Sequence, residues 1–498
     1  METLIGNANR GSISTGAYEI ENSCRFEDDD TVYMHRTPSS SGTRTKWTYS
    51  GWCKRSEFGF NTNLQGTGDD YNSIRFEGDD QLRVTNFNDG SYSYSLVTTR
   101  VFRDCSAWYH VVAAMDTTQG TASNRLKMYV NGVQETDFSV ATYPSQNYED
   151  NYSESSRVHQ IGARYAVTGN PVQRFAGYIA DVHFIDGAQK AATDFGEFND
   201  DGIWIPKAYS GSHGTNGFHL KFDSSGSMGA DSSGNSNNFT LVNLDAGNQM
   251  TDTPTNNFNV LNINDKELDF DGAVTDGGLQ ITSTAGAYNL IHSTMAAGAG
   301  KWYNEIKIVA VGNRTTHFVV GISDAAWTYK DSTHVWGAGD GAEDMHDLAW
   351  SFFSAGDVYN GSWTNAVLGG GWDTGQTRTT VNGDIYMIAT DYDNGKFWIG
   401  KNGTWFSTNQ GTANPATGAY PLMDNLLTNT TDDGQTTSMI RVGFGYYGTN
   451  SRTYQVNFGN PIFSISSGNA DGDGYGNFEY APPSGFYAWC TKNLAEYG

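Results

Sequence analysis

Apolar and polar residues alternate over many short stretches of the chain, and turn residues separate these stretches. The clearest case is LKMYV at residues 126–130, where apolar side chains recur at every second position, as in a half-buried β-strand. Asn131-Gly132 follows directly, and this dipeptide accepts the positive φ angles of a tight hairpin turn. Together with the apolar run WYHVVAAM before it, the pattern predicts a hairpin over residues 108–138.

The same order of elements recurs later in the chain. IYMIATD at residues 385–391 is followed by a polar turn and by KFWIG at residues 396–400. This second pair also closes with an Asn-Gly dipeptide, Asn402-Gly403. The repetition predicts two related β domains, and residues common to both hairpins are expected to serve the fold.

The rest of the chain predicts further short strands joined by many turns. No long stretch shows the 3.6-residue period of an amphipathic helix. Glycine accounts for 59 of 498 residues, well above the average of about 7%, and aromatic residues make up 13%, enough to fill cores. The predicted fold class is all-β, with two antiparallel β-sandwich (jelly-roll) domains joined by a partly ordered connector.

A chain of 498 residues is too long for one ordinary core and predicts more than one domain. The connector is Ser-, Gly- and Asn-rich but holds strand-sized pieces at residues 218–222 and 239–242. The predicted segments are a polar N-terminal arm (1–16), a first sandwich (17–190), the connector (191–264) and a second sandwich (265–498).

Charge and hydropathy exclude several classes of partner. The formal net charge is −25, so no basic patch is expected to neutralise nucleic-acid phosphates. No apolar stretch reaches the length needed to insert into a membrane. The N-terminus has no basic region followed by an apolar run, so no signal peptide is expected. Neutral glycans and divalent cations remain compatible ligands.

Four cysteines are too few and too scattered for a disulfide framework or a zinc site. Cys53 and Cys105 lie in strand-like contexts and are expected to be buried thiols, with a bridge between them as the alternative.

Several phrases of the first sandwich occur in the order typical of one family. They are WTYSGW (47–52), AWYHVV (107–112), YVNG (129–132), IG (161–162) and FAGYIADV (175–182). In this order they resemble a laminin-G-like, concanavalin A-type jelly roll. The resemblance implies two packed antiparallel sheets, and members of this superfamily bind glycans, proteins or calcium, while some cleave glycans.

The second sandwich resembles the SPRY (B30.2) family. The resemblance is carried by KWYNEI (301–306), FVVGI (318–322), KFWIGKNGTW (396–405) and NFG (457–459). It implies a bent β-sandwich of the kind that commonly binds other proteins. The connector, in its position after such a jelly roll, resembles segments in virion proteins of marine bacteriophages.

Candidate catalytic residues are few. His110 and Asp116 in the first hairpin have the side chains for acid–base chemistry, but their positions favour a structural role. Glu267, Asp269 and Asp271 share one strand face, but they lie at a domain edge, and glycoside hydrolysis needs a closely spaced pair across the substrate. We therefore predict that the protein is not an enzyme.

Calcium is the candidate cofactor. Asp471 and Asp473 lie on a Gly-rich loop and offer the hard oxygen ligands that calcium takes. The loop lacks the closing glutamate of an EF-hand, and a solvated turn is the alternative.

The candidate ligand-binding surface lies in the aromatic loops of residues 324–372. Exposed aromatic side chains beside amide and acid groups suit sugar faces and protein hot spots. The residues expected at this surface are Trp327, Tyr329, Trp336 and Trp363.

Together these features predict a non-enzymatic bacteriophage virion protein of the tail-fibre or tip type, made in the host cytoplasm and assembled into the particle. It would present its loops to a host-surface glycan or to other virion proteins, as a homo-oligomer. The alternatives are a capsid-decorating or appendage subunit with purely structural interfaces and a glycan-degrading enzyme.

Overall fold

The chain forms two compact units. In the computed structural model the described residues are all except 1–3, 6–17, 69–71, 89, 156, 166–170, 267–269, 271, 284–287, 312–317, 325–348, 354–357, 361–379, 408–410, 425, 427–438 and 448–450. The N-terminal unit is Gly11–Asn257, and the C-terminal unit is Phe258–Gly498 with Met1–Arg10. Each unit is described by itself below.

Short strands make up nearly all regular structure of the N-terminal unit. Strand β1 (Leu4–Ile5) belongs to the C-terminal unit. The strands that follow it are β2 (Ser23–Phe26), β3 (Tyr33–Arg36), β4 (Lys46–Arg55), β5 (Thr62–Thr67), β6 (Asn72–Phe76), β7 (Gln81–Asn88), β8 (Ser91–Val101), β9 (Trp108–Asp116), β10 (Leu126–Val130), β11 (Val133–Gln134), β12 (Phe138–Thr142), β13 (His159–Ile161), β14 (Arg164–Tyr165), β15 (Pro171–Val172), β16 (Gly177–Asp186), β17 (Gly196–Phe198), β18 (Trp204–Pro206), β19 (Phe218–Leu220), β20 (Thr240–Val242) and β21 (Gln249–Met250). Single 3₁₀ turns lie at Ala122–Asn124, Ala192–Asp194 and Ala246–Asn248.

In the part of the N-terminal unit that the structure describes, two antiparallel eight-stranded sheets form a sandwich. One has the order β11-β10-β9-β4-β16-β2-β21 with β19 also paired to β16, and the other has the order β12-β8-β7-β6-β5-β13-β3-β20. An apolar core joins their inner faces, because Trp47 and Val111 of the first sheet share a cluster with Leu82 and Ile161 of the second. This burial of two sheet faces against each other is the main stabilising term for a sandwich.

The segment predicted as a connector contributes strands to both sheets of this sandwich. Strand β19 pairs with β16, β20 pairs with β3, and β21 pairs with β2. The first and last described segments of the unit also meet, since Thr255 Oγ1 donates a 2.8 Å hydrogen bond to the backbone oxygen of Ile20. Residues 191–257 therefore complete both sheets.

The C-terminal unit is also a β-sandwich. Its strands are β22 (Leu261–Lys266), β23 (Ala273–Thr275), β24 (Gln280–Ser283), β25 (Tyr288–Ala297), β26 (Lys301–Ala310), β27 (Phe318–Asp324), β28 (Ala349–Phe353), β29 (Val358–Asn360), β30 (Ile385–Asp391), β31 (Lys396–Lys401), β32 (Thr404–Trp405), β33 (Ile440–Tyr447), β34 (Arg452–Asn457) and β35 (Tyr487–Ala488). Helix α1 (Thr491–Tyr497) and 3₁₀ turns at Asp276–Gly278 and Pro415–Thr417 complete it.

Within the described residues, its strands form a seven-stranded sheet, β1-β25-β33-β27-β28-β29 with β22 on β25, and an eight-stranded sheet, β23-β24-β34-β26-β30-β31-β32 with β35 on β26. The pairing is antiparallel except for β1 with β25 and β35 with β26. Met295 and Val442 of one sheet share a core cluster with Trp302 and Ile399 of the other. The predicted all-β class with two antiparallel sandwiches is confirmed.

Both predicted hairpins are present. Strand β9 pairs with β10, and Asn131 and Gly132 have φ angles of 48° and 80° at the turn into β11. Strand β30 pairs with β31, and Asn402 and Gly403 have φ angles of 49° and 82° at the turn into β32.

In each hairpin the asparagine side chain also holds the start of an earlier strand. Asn131 Oδ1 accepts a 2.8 Å hydrogen bond from the His110 backbone N–H, and Asn402 Oδ1 accepts one of the same length from Ile385. The four cysteines are buried thiols that form no disulfide bond with one another, which confirms the expected thiols at Cys53 and Cys105.

Candidate functional site

The aromatic side chains predicted to form a ligand-binding surface lie outside the part of the chain that the structure describes. Trp327, Tyr329, Trp336 and Trp363 all lie outside the described residues, so their role in ligand binding stays a prediction. The acidic run at Glu267, Asp269 and Asp271 also falls outside them.

The predicted calcium loop is held together by Asp471. Its Oδ1 accepts hydrogen bonds from the backbone N–H groups of Asp473 (3.0 Å) and Tyr475 (2.9 Å). Its Oδ2 accepts from the Ala488 N–H (2.9 Å) and the Asn493 side-chain amide (2.8 Å). Asp471 therefore fixes the loop by itself, and calcium at Asp471 and Asp473 stays a prediction.

His110 and Asp116 have the structural roles expected of them. Trp204 Nε1 donates to His110 Nδ1 at 3.1 Å, so the His110 proton lies on Nε2 and points to Ser50 Oγ at 2.8 Å. A histidine that donates to a serine hydroxyl cannot also accept its proton. Burial lowers the pKa of His110 to about 3. Asp116 ends β9 and accepts hydrogen bonds from the turn, including the Thr118 N–H at 3.0 Å.

A group of buried ionisable side chains lies elsewhere in the N-terminal unit. We call the three histidines His183, His213 and His219 the histidine cluster, and Asp181 lies directly beside it. Asp181 and His183 belong to β16, and His219 belongs to β19, where it pairs in register with His183. His213 comes from the loop that leads into β19.

A β-bulge interrupts β16 at Asp181, directly beside His183 of the cluster. The register between β16 and β4 shifts between Ala180 and His183. Asp181 lies within this irregularity and has a φ of 50°, a left-handed conformation that is uncommon outside glycine. Bulges of this kind re-aim side chains and are frequent beside functional sites.

The Asp181 carboxylate lies against two of the three histidines and against Tyr18. Its Oδ1 lies 2.7 Å from His219 Nε2 and accepts a 2.9 Å hydrogen bond from the Tyr18 hydroxyl. Its Oδ2 lies 3.5 Å from His183 Nε2, which has no hydrogen-bond partner among the described residues. The carboxylate thus faces the Nε2 atoms of two histidines.

The opposite side of His183 faces His213. His183 Nδ1 lies 3.1 Å from His213 Nε2. The rings of His183 and His219 are stacked with centroids 3.8 Å apart, and the His213 ring is nearly parallel to both. One ring nitrogen from each histidine lies within 4.8 Å of the other two, so the cluster has the residue types and spacing of a metal-binding group.

Burial and mutual contacts set the charges of this group. Burial alone would raise the pKa of Asp181, but His183 and His219 together hold it below its usual range. Burial lowers the pKa of His183, and burial with the other two histidines lowers the pKa of His213 to about 4. At neutral pH, therefore, Asp181 is charged while His183 and His213 are neutral.

The cluster opens onto the surface. A depression of about 310 Å³ is lined by Tyr18, Ala208, Tyr209, Ser210, Gly211, His213, His219, Lys221, Ser232 and Ser233. A second depression of about 200 Å³ shares Tyr18 and Lys221 and reaches Asp181. We call the first of these the tyrosine–serine depression.

Two local contacts shape the walls of the tyrosine–serine depression. The Tyr209 ring stacks on Phe195 with centroids 4.9 Å apart, and its hydroxyl donates to the Ser212 oxygen at 3.0 Å. On the other wall, Asp231 accepts hydrogen bonds from the N–H groups of His219 (2.9 Å) and Ser233 (2.8 Å). The walls are therefore preorganised by buried or multiply bonded groups.

Sequence reasoning missed the histidine cluster. Its members follow no short metal-binding spacing, and His213 and His219 lie in the stretch predicted as a connector. The signal that could have found them is the pairing of β19 with β16, which periodicity alone does not give.

The family resemblance of the N-terminal unit is confirmed by comparison with known families. Residues 27–193 match the laminin-G-type model described as the concanavalin A-like lectin/glucanases superfamily. His213 and His219 lie beyond the matched region. A search of curated proteins finds no significant match.

Solved structures similar to parts of the chain include three of different origin. The SPRY domain of human HERC1 is 16% identical, with a TM-score of 0.25, over 39% of this chain and 96% of that domain. A putative carbohydrate binding protein from Bacteroides ovatus is 19% identical, with a TM-score of 0.25, over 35% of this chain and 46% of its own. The SAP-like pentraxin of Limulus polyphemus is 14% identical, with a TM-score of 0.28, over 35% of this chain and 80% of its own. Among the described residues, no helix has the length and apolar character to cross a membrane.

Proposed function

We propose that this chain is a non-catalytic glycan-binding protein and that the glycan binds in the tyrosine–serine depression. The observation that carries the proposal is the lining of this depression on a concanavalin A-like sandwich. Tyrosine rings offer apolar faces with a polar tip, and sugar rings present both C–H faces and hydroxyls. Ser232, Ser233 and Lys221 add hydrogen-bonding groups around them.

The residues that line the depression are already held in place, which favours glycan binding without a large rearrangement of these side chains. Tyr209 is fixed by Phe195, and Ser233 is fixed by Asp231. Groups already held in place lose little conformational entropy when a ligand binds. A neutral, hydroxyl-rich glycan suits this surface better than nucleic acid, since the net charge of the chain is −25.

The biological setting is a further part of the proposal. The protein acts in a bacteriophage virion, together with other virion proteins and as a homo-oligomer, and presents this face to a glycan of the host surface. Support for this part comes from the resemblance of the connector to virion proteins. Immunogold microscopy of purified particles tests it: labelling of tail tips supports an attachment role, regular labelling of the capsid favours decoration, and particles without label contradict both.

Glycan binding is tested with the full-length chain on a glycan array, followed by titration with a bound glycan. Tyr209→Ala removes one wall and is expected to weaken binding about tenfold, as for a single well-packed aromatic contact. Tyr92→Ala is the matched control, because Tyr92 is an exposed tyrosine of β8 that does not line the depression.

Two results would overturn the proposal: a folded wild-type chain that binds no glycan, or a Tyr209→Ala variant that binds as well as wild type. The absence of catalysis is tested separately. Incubation with the bound polysaccharide is expected to release no oligosaccharides, and steady release would show hydrolysis.

A further inference from the structure

We infer that the histidine cluster binds one divalent transition-metal ion through His183, His213 and His219. The inference is independent of glycan binding and rests on the position of the ring nitrogens. One from each histidine lies within 4.8 Å of the other two, and all three side chains are buried. Only 1%, 9% and 8% of the surfaces of His183, His213 and His219 are exposed.

The contacts of Asp181 indicate which nitrogens face the ion. Asp181 lies against Nε2 of both His183 and His219, which leaves Nδ1 of each ring for a metal. His183 Nδ1 already lies 3.1 Å from His213 Nε2. Two nitrogens bound to one zinc ion at about 2.0–2.1 Å in tetrahedral geometry lie roughly 3.3 Å apart, so this pair is spaced for ligation.

The nearly parallel rings must adjust when the ion binds. A ligating imidazole points its nitrogen lone pair at the metal, whereas the His183 and His219 rings are stacked face to face. Nitrogens that lie up to 4.8 Å apart must approach one another by up to roughly 1.5 Å to reach the tetrahedral spacing. The His213 backbone is held by the Asp186 N–H, which donates a 2.8 Å hydrogen bond to its oxygen, so the adjustment requires rotation of the histidine side chains.

Three imidazoles select the class of metal. Zinc, copper, nickel and iron favour imidazole ligands, whereas calcium and magnesium favour oxygen. His213 and His219 also line the tyrosine–serine depression, so a fourth position on the ion faces solvent. Three protein ligands with one open position is the arrangement of a site that takes water or an external ligand.

Asp181 is the positioning residue of this site. A carboxylate that accepts from the second nitrogen of a ligating histidine fixes the ring orientation and increases its basicity. Asp181 faces two such rings and is itself fixed by the Tyr18 hydroxyl at 2.9 Å. The strained φ of 50° at Asp181 is explained by this role, because the bulge brings its carboxylate to both histidines.

The test uses the full-length chain without a histidine tag, first freed of metal by dialysis against a chelator. Calorimetric titration with Zn²⁺ is expected to show one ion per chain, and Co²⁺ is expected to give the intense visible absorption of a four-coordinate site. His213→Gln is expected to abolish the Co²⁺ absorption, since it removes a ligand from a loop without touching a strand. Asp181→Asn is expected to weaken Zn²⁺ binding about 10–100-fold, the usual effect of losing such a carboxylate.

His35→Gln is the matched control, because His35 lies on β3 away from the cluster and is expected to leave both signals unchanged. Near-ultraviolet circular dichroism checks that each variant is folded. The inference is overturned if the folded wild-type chain binds no stoichiometric Zn²⁺ and gives no Co²⁺ absorption. It is equally overturned if His213→Gln retains both signals, and the wild-type titration decides the matter alone if that variant does not fold.

Discussion

Asp181 Oδ1 lies 2.7 Å from Nε2 of His219, although the two residues come from different strands. Asp181 belongs to the region that matches the family model, whereas His219 follows it in the chain. The candidate site is therefore assembled from the jelly roll and from the segment that completes its sheets. Ligand binding at this site therefore requires that the segment is folded against the jelly roll.

The end of this segment is anchored by a buried ion pair. Lys54 Nζ lies 2.8 Å from Asp252 Oδ2, and both side chains are at most 1% exposed. Asp252→Ala leaves the Lys54 charge buried without its carboxylate and is expected to destabilise the protein by about 3–5 kcal/mol. Urea unfolding measures this loss. The control is Glu197→Ala, which removes an exposed pair with Lys207 and is expected to cost at most about 1 kcal/mol; equal losses for the two variants would contradict the prediction.

Glycine is required at position 132 because of the backbone conformation there and because of the adjacent Trp204 ring. It has a φ of 80°, and a β-carbon there would lie 2.3 Å from the ring of Trp204. Gly132→Ala is expected to cost about 2–4 kcal/mol, the sum of backbone strain and a displaced tryptophan. Gly59→Ala is the matched control, since Gly59 has a φ of 87° with no atom near the added carbon. Thermal melting should show a clearly smaller shift for Gly59→Ala, and the reverse order would refute the steric argument.

The stability of the C-terminal unit is expected to fall in mild acid because of His292. Burial lowers the pKa of His292 to about 4, and the Arg441 guanidinium acts in the same direction while Asp265 opposes it. An unfolded histidine titrates near pH 6.5, so protons favour the unfolded chain. The contribution is complete above about pH 6.5 and is lost as the pH falls to about 4.

His292→Gln tests this pH dependence. The free energy of unfolding of wild type is expected to decrease by up to about 3 kcal/mol more than that of the variant between about pH 7 and about pH 4. The measurement is urea unfolding at several pH values. Parallel pH profiles for the two proteins would show that His292 does not titrate on unfolding.

The shared hairpin asparagines are expected to act as structural caps. Asn402 Oδ1 accepts from the Ile385 N–H, and the residue has a φ of 49°. Asn402→Ala removes the acceptor and strains the turn, at an expected cost of about 1–3 kcal/mol in unfolding free energy. Asn402→Gly also removes the side-chain hydrogen bonds to Ile385 and Asp384 but suits the positive φ, so it is expected to lose less than Asn402→Ala. If Asn402→Gly is as stable as wild type, these hydrogen bonds do not stabilise the hairpin.

The sequence predicts the sandwich scaffold well for a physical reason. Alternating apolar positions and Asn-Gly turns are local signals, and both hairpins follow from them at residues 108–138 and 384–406. Strand pairing between distant segments leaves no local signal. The short strands β19 and β20 are only three residues long, too short for periodicity to show which sheet they join.

The candidate site could not be predicted for the same reason. His183 lies in a strand that is buried along its whole length, and His213 follows 30 residues later in a Gly- and Ser-rich loop. They meet because β19 pairs with β16 and because the bulge at Asp181 turns a carboxylate toward them. The aromatic candidates Trp327, Tyr329, Trp336 and Trp363 remain predictions for the C-terminal unit.

The hydrogen bond between Thr255 and Ile20 joins the first and last described segments of the N-terminal unit. Strands β2 and β21 pair immediately inward of this point, so these two segments lie side by side. A unit whose ends adjoin can be spliced into a surface loop of an unrelated protein, or given new termini elsewhere, without stretching its fold. This sandwich therefore meets the geometric condition for transfer between proteins as one domain, and the histidine cluster lies within that domain.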